Sequence, residues 1–392
     1  MGNNQSNEVK VPDEDDAASV IQKSWKKQQA TEFEWPEDLY TELLDMAETD
    51  QMVNYVSLLF KAARMAEVEF MVPASESAEK PKLTLAQLQS LVEANKEALS
   101  KSKAFTADPE EVIKALKKMG ESTSPRKLSI VGLDAAALKS KDMSYCIVKD
   151  DKLKRITVVF PAGNSALKDE WVNSRSFKMI PYTLPRALKA KISGDRIASV
   201  KVHAGFYNYL NQNGLKKSLI KDLKSVATPS YKVYITGHGI GAALASLLSL
   251  ELAFDHDLAK PICCINFGSP RVGDSSYWRA CQLLEIAGKL RKCRVITDTD
   301  TLVTVPASAE YAHSGYQVMF KAASNGAPEE YYPSVKDDGS MRKGAFASTK
   351  KFNESKSTSA SYLASIKKSE ASLKKMNLNE MYEKAGVPAF AK

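Results

Sequence analysis

Residues 233–245 read Val233-Tyr234-Ile235-Thr236-Gly237-His238-Gly239-Ile240-Gly241-Ala242-Ala243-Leu244-Ala245. A β-branched and aromatic run passes through glycines at every second position into an alanine/leucine stretch. That pattern predicts a strand, then a turn too tight for side chains at its flanks, then a helix. Similar short runs lie on either side. Ser144-Tyr145-Cys146-Ile147-Val148 and Arg155-Ile156-Thr157-Val158-Val159-Phe160 flank the charged turn Lys149 to Lys154, and Ile262 to Phe267 and Cys293 to Ile296 lie downstream. Strands of this kind separated by helical stretches predict an α/β protein with a mainly parallel sheet covered by helices on both faces.

Upstream the pattern is helical. Pro36 suits a first helical position, and Leu39, Leu43, Leu44 and Met46 recur at helical spacing. Further helical segments are read at Met52 to Phe70, at Leu83 to Leu99, and from Asp108-Pro109-Glu110-Glu111 to Gly120, the last with a capping aspartate and an acidic first turn. The expected organisation is an arm over residues 1–35, a helical region over 36–125, and an α/β domain over 126–392 that the helical region packs on and covers. Within that domain, residues from about 335 to 375 are rich in lysine and serine and are expected to form a solvated insertion or loosely held helical arm.

The bulk numbers bound the function. The chain has 392 residues, 44% hydrophobic and 26% charged, the profile of a folded protein rather than a disordered one. A net charge of +8 fits ordinary solubility or attraction to an anionic membrane face, and no nucleic-acid-binding signature accompanies it. The five cysteines form no CxxC pair, and the first residues lack a secretory apolar region, so reduced thiols in the cytoplasm are expected. No metal or cofactor is expected, and the run from Val233 to Phe254 is too interrupted to span a membrane. Two features of the arm suggest a tether and a partner. Met1-Gly2-Asn3-Asn4-Gln5-Ser6 fits the pattern for myristoylation of Gly2, which would hold the protein to the cytoplasmic face of a membrane. Ile21, Gln22, Trp25 and Lys26 match part of an IQ motif, the basic helix gripped by calmodulin-type proteins, although Lys27 and Thr31 depart from it. An ordinary short helix docked through Ile21 and Trp25 explains the same residues equally well.

The turn at 237–241 has a chemical counterpart. In G-x-S-x-G elbows the flanking residues are small and a central serine projects above the sheet as a nucleophile. Here the segment from Gly237 to Ala245 resembles the elbow of class 3 (fungal type) lipases, with Gly239 where the serine would stand. Further stretches resemble the same family in the same order. These are Phe160 to Trp171, Val202-His203-Ala204-Gly205-Phe206, Asn266-Phe267-Gly268-Ser269-Pro270-Arg271-Val272-Gly273-Asp274, and Arg294 through Asp300 to Pro306, followed by Tyr311-Ala312-His313-Ser314-Gly315.

The resemblance implies an α/β-hydrolase fold with a helical N-terminal extension, and it assigns roles residue by residue. Gly239 takes the nucleophile position without a side chain, and Asp300 takes that of the acid. No histidine follows His313, and Asn379, three residues before Tyr382, is the counterpart of the base that the resemblance implies. Ile240 and Gly163 fall at the oxyanion positions, with Pro161-Ala162-Gly163 departing from the family's usual R-G-T. Ser246 and Ser269 are not placed to substitute as nucleophile. The expectation is a catalytically degenerate lipase-like protein that binds lipid or acyl chains, or scaffolds a partner, at a membrane surface. The alternative is an active lipid or ester hydrolase with an unorthodox site.

Overall fold

Where apolar residues alternate with a period of two, successive side chains leave a strand on opposite faces, and helices can bury both. The computed structural model describes residues 35–65, 83–121, 128–133, 143–162, 178–184, 200–321, 327–332 and 358–387. Gly2, the IQ-like residues Ile21, Gln22, Trp25 and Lys26, and Gly163 lie outside them.

Nine strands form one sheet in the order β1-β2-β3-β4-β7-β8-β9-β10-β11. Its centre is parallel: β4 (Arg155–Phe160), β7 (Lys232–Gly237), β8 (Ile262–Phe267), β9 (Leu290–Thr297) and β10 (Tyr316–Phe320). Antiparallel strands close both edges, with β1 (Leu83–Thr84), β2 (Leu128–Leu133) and β3 (Cys146–Asp150) on one side and β11 (Glu329–Tyr331) on the other. A separate antiparallel pair joins β5 (Met179–Tyr182) to β6 (Val200–His203). The fold is the expected mainly parallel α/β sheet flanked by helices.

Alternation divides the core. Val233 and Ile235 of β7 pack with Ile156, Val158 and Phe160 against α7 (Ile240–Leu252), with α5 (Ala204–Asn211), α6 (Leu215–Val226) and α8 (Ser275–Ile286) on the same side. Tyr234 points the other way, with Cys263, Ile265, Cys293, Val295 and Val318, onto Leu39, Leu43, Met46 and Ala47 of α1 (Leu39–Arg64).

Helix α1 is one continuous 26-residue element, where the sequence suggested two helices; nothing between Met46 and Met52 breaks it. Its later turns, from Met52 to Phe60, share a second core with α2 (Leu85–Ala94), α3 (Lys96–Lys101) and α4 (Pro109–Glu121). Three helices stand near the C-terminus: α9 (Ser359–Lys368), α10 (Glu370–Leu373) and α11 (Leu378–Lys384). The expectation of a solvated lysine/serine arm is corrected over residues 358–375. Tyr362, Leu363, Ile366 and Leu373 are buried with α1 and the sheet, and the lysines lie on the outward side. Among the described residues no helix is long and apolar enough to cross a membrane.

A buried ion pair pins α1 to the sheet. Arg291 at the start of β9 donates from Nη1 and Nη2 to the two carboxylate oxygens of Glu42, at 2.5 and 2.9 Å, and Tyr234 Oη donates to Glu42 at 2.9 Å. Burial opposes Glu42's charge, but Arg291 prevails and holds its pKa below the ordinary range. Removing one partner of such a pair strands the other charge in the core. Glu42→Ala is therefore expected to cost about 3–5 kcal/mol in urea unfolding. A loss no larger than that of an exposed ion pair would show that α1 is anchored by its apolar face alone.

Candidate functional site

The site begins with a packing limit. A Cβ on Gly241 would lie 2.3 Å from the carbonyl oxygen of Phe160, and one on Gly237 would lie 2.6 Å from the carbonyl carbon of Gly241. Only glycine at both positions lets α7 start directly above β4 and β7. Between them Gly239 has φ +58° and ψ −118°, a conformation nearly closed to residues with a side chain, and its N–H donates to Phe267 O at 2.8 Å. This is the geometry of a nucleophile elbow, and its apex carries only hydrogen. A Cβ there would meet Leu302 Cδ2 at 3.1 Å, so a serine at 239 would need that side chain to shift by a few tenths of an ångström. Ile240 opens α7, where a first-turn N–H has no acceptor within the helix. Ser246 and Ser269 are spent in the interior: Ser246 Oγ accepts from Asn266 Nδ2 at 3.0 Å, and Ser269 Oγ donates to Pro270 O at 3.0 Å.

Asp300, in the loop after β9, reaches the same edge of the sheet. Its Oδ1 accepts from Leu302 N at 2.9 Å and its Oδ2 from Tyr362 Oη at 2.6 Å. Gly268, at φ +62°, makes room, since a Cβ there would stand 2.5 Å from Asp300 Oδ2. His238 completes the cluster with its ring 5.4 Å from that of Tyr362; burial pushes its pKa down to about 4, against the pull of the Asp300 charge. Gly239, Asp300 and Ile240 are thus gathered at the C-terminal edge of the parallel strands.

Asn379 is not among them. Its Oδ1 accepts from Arg291 Nε at 2.6 Å, at the beginning of the strand whose far end leads to Asp300. The residue selected by a tyrosine three positions on must be corrected, because the tyrosine that reaches Asp300 is Tyr362 and not Tyr382. The same spacing then points to Ser359, at the first turn of α9. The spacing recurs along the chain, and the docking of α9 is what brings Tyr362 to Asp300.

Ser359 belongs to a polar network that ties α9 to α1 and to the end of β4. Its Oγ donates to Asp50 Oδ2 at 2.7 Å, and Asn54 Nδ2 donates to Ser359 Oγ at 3.0 Å and to Asp50 Oδ2 at 3.1 Å. Asn54 Oδ1 in turn accepts from Ala162 N at 2.9 Å, so that N–H is taken by α1. The other histidines have structural roles. His203 Nδ1 accepts from Gly205 N at 3.1 Å and caps α5, while His313 Nε2 lies 2.8 Å from Val303 O; His256 is exposed.

Burial lifts the Asp50 carboxyl to about 7, against the hydrogen bonds from Ser359 and Asn54, and its Oδ1 has no partner. A carboxyl whose folded pKa lies above its unfolded value stabilises the fold while protonated. The contribution is complete below about pH 4 and is lost as pH rises toward 7. His203 and His238, both lowered to about 4, act in the opposite sense over the same window, so the test is a difference between two proteins. Asp50→Asn should gain stability relative to wild type as pH rises from 4 to 7.5, by up to roughly 4 kcal/mol. Parallel stability curves for the two proteins would contradict this assignment.

Residues 159–310 match the family model described as lipase (class 3). The chain is similar to a lipase of Rhizomucor miehei, 29% identical over 140 residues that make up 35% of this chain and 34% of that protein. It is also similar to phospholipase A1-IIgamma of Arabidopsis thaliana, 27% identical over 178 residues, 39% of this chain and 41% of that one. The match therefore spans between a third and two-fifths of these relatives' lengths. Among solved structures, lipase II from Rhizopus niveus aligns at 20% identity with a TM-score of 0.41, over 71% of this chain and 81% of that one.

Proposed function

Because residues 159–310 make this a class 3 lipase-like chain, we propose that it is a catalytically degenerate member that binds lipid or acyl chains, or scaffolds a partner, at a membrane surface. The observation that carries this reading is Gly239, which keeps the backbone of a nucleophile elbow and offers no nucleophile. Ser359 at the base position supports it, since a serine hydroxyl does not serve as the proton acceptor that acyl transfer needs near neutral pH. In a serine protease, loss of nucleophile or base lowers turnover by about a factor of 10⁶. Retained binding is the property such a scaffold keeps. The relatives' names, lipase and phospholipase A1, point to a glycerolipid as the ligand class. In this reading Gly2 carries an acyl chain that holds the protein to a cytoplasmic membrane face. A calmodulin-like partner grips Ile21, Gln22, Trp25 and Lys26.

The test is hydrolysis of a short-chain ester and a diacylglycerol by the full chain, beside Gly239→Ser and Gly239→Ser/Ser359→His, with vesicle co-sedimentation on the same proteins. Wild type should match the enzyme-free blank and still sediment with diacylglycerol-containing vesicles. The double variant should gain measurable turnover. Wild-type hydrolysis that Gly239→Ser leaves unchanged would sink the proposal and favour an active hydrolase with an unorthodox site. Absence of both turnover and vesicle binding would remove the lipid and leave the scaffold.

A further inference from the structure

Beneath the loop that carries Asp300 lies a guanidinium with no counter-charge among the described residues. Arg294 is in β9, and its side chain leaves the strand on the face opposite Cys293 and Val295. It is 5% exposed, and its register partner across β10 is Gln317. Arg294 Nη2 donates to Gln317 Oε1, a neutral acceptor, while Nε and Nη1 have no hydrogen-bond partner among the described residues. A second guanidinium, that of half-buried Arg271, is close enough for the two to repel; its Nη1 donates to Pro306 O at 2.8 Å. Among the described residues neither arginine makes an ion pair. Burial, and then Arg271, push Arg294 down to about 9, so it is still charged at neutral pH. The same two arginines, after burial, drive the His313 imidazole well below its ordinary range.

An isolated buried charge is among the most costly features a core can hold, and an arginine cannot relieve it by losing its proton at neutral pH. We propose that Arg294 and Arg271 form a binding site for one small anion, chloride or an oxyanion such as phosphate, under the loop Asp298–Ser314. The unpartnered Nε–H and Nη1–H lie on opposite edges of the Arg294 guanidinium, so a single ion accepts from one of them, and Arg271 supplies the second positive charge. The shielding of these nitrogens from solvent selects a small ion over a lipid headgroup, which would carry its glycerol backbone in with it. The occupied site would hold down the segment Leu302–Pro306, which places Leu302 over Gly239 and contributes Leu302 N to the Asp300 carboxylate.

The experiment is thermal unfolding of the full chain with gluconate, chloride or phosphate as the sodium salt at one ionic strength. Wild type should melt on the order of 5 °C higher in chloride or in phosphate than in gluconate. Gln317→Glu, which places a carboxylate where Arg294 Nη2 already donates, should match or exceed the anion-stabilised wild type in gluconate and show no further rise. Arg294→Gln should lose the response as well. Chloride-35 relaxation on wild type gives a direct readout that does not depend on a variant folding, and excess line broadening that phosphate competes away is expected. Equal melting in all three salts without excess broadening overturns the proposal, as does an anion response that both variants retain.

Discussion

The carbonyl oxygen of Phe160 and the start of α7 come so close that the backbone itself is the contact surface. A Cβ at Gly241 would sit 2.3 Å from that oxygen, well inside van der Waals contact. This approach brings the N-terminus of α7 over the C-terminal ends of β4 and β7. The chain is then forced through φ +58° at Gly239 before the helix can begin. Once Gly239 N is held by Phe267 O, the end of β8 is aligned with the turn. Gly268 comes next, and its missing side chain admits Asp300. The upper edge of the sheet is thus assembled outward from one steric limit.

That limit explains why the turn stands around a glycine at position 239. The turn is imposed by helix–sheet packing, so a substitution at its apex leaves it standing. A side chain in such a conformation typically costs roughly 1–3 kcal/mol, and glycine avoids that strain. Leu302 stands where a nucleophile's side chain would project, and Asn54 takes the N–H of Ala162. The helices outside the sheet are accordingly part of the site. Helix α1 reaches from the Glu42–Arg291 pair at one end of the strands to Asp50 and Asn54 at the other. Helix α9 contributes Ser359 and Tyr362. A change in how α1 or α9 docks would be felt at Ala162 and Asp300 without any covalent step.

Charge in this core is handled in two contrasting ways. Arg291 is fully matched by a carboxylate, an amide and the ring of Trp35. Arg294, three residues later on the opposite face of β9, has an amide as its hydrogen-bond acceptor among the described residues. Among the described residues the same strand therefore carries one satisfied and one unsatisfied guanidinium, and the second lies beneath the loop bearing Asp300.

The glycine turn, the parallel strands from Arg155, Lys232 and Ile262, and the position of Asp300 were all legible in the sequence. The turn and the strands depend on sterics or alternation within a few residues, whereas Asp300 was placed by the family resemblance. The first half of β9 was not legible, because Arg291 and Lys292 read as surface charges until their buried partners are known. Helix α9 was mistaken for a solvated arm for a related reason: its lysines are plain in the sequence, whereas the Tyr362, Leu363 and Ile366 face has meaning only against α1 and the sheet. Spacing alone left Ser359 and Asn379 equivalent, each with a tyrosine three residues on. What separated them was the contact of Tyr362 with Asp300, 62 residues apart, and of Ser359 with Asn54, 305 residues apart. Local pattern determined the elements and the turn, since backbone sterics act between neighbours. Tertiary structure decided which side chains meet at the turn, because contacts between distant segments are selected by the fit of whole faces, which no short spacing records.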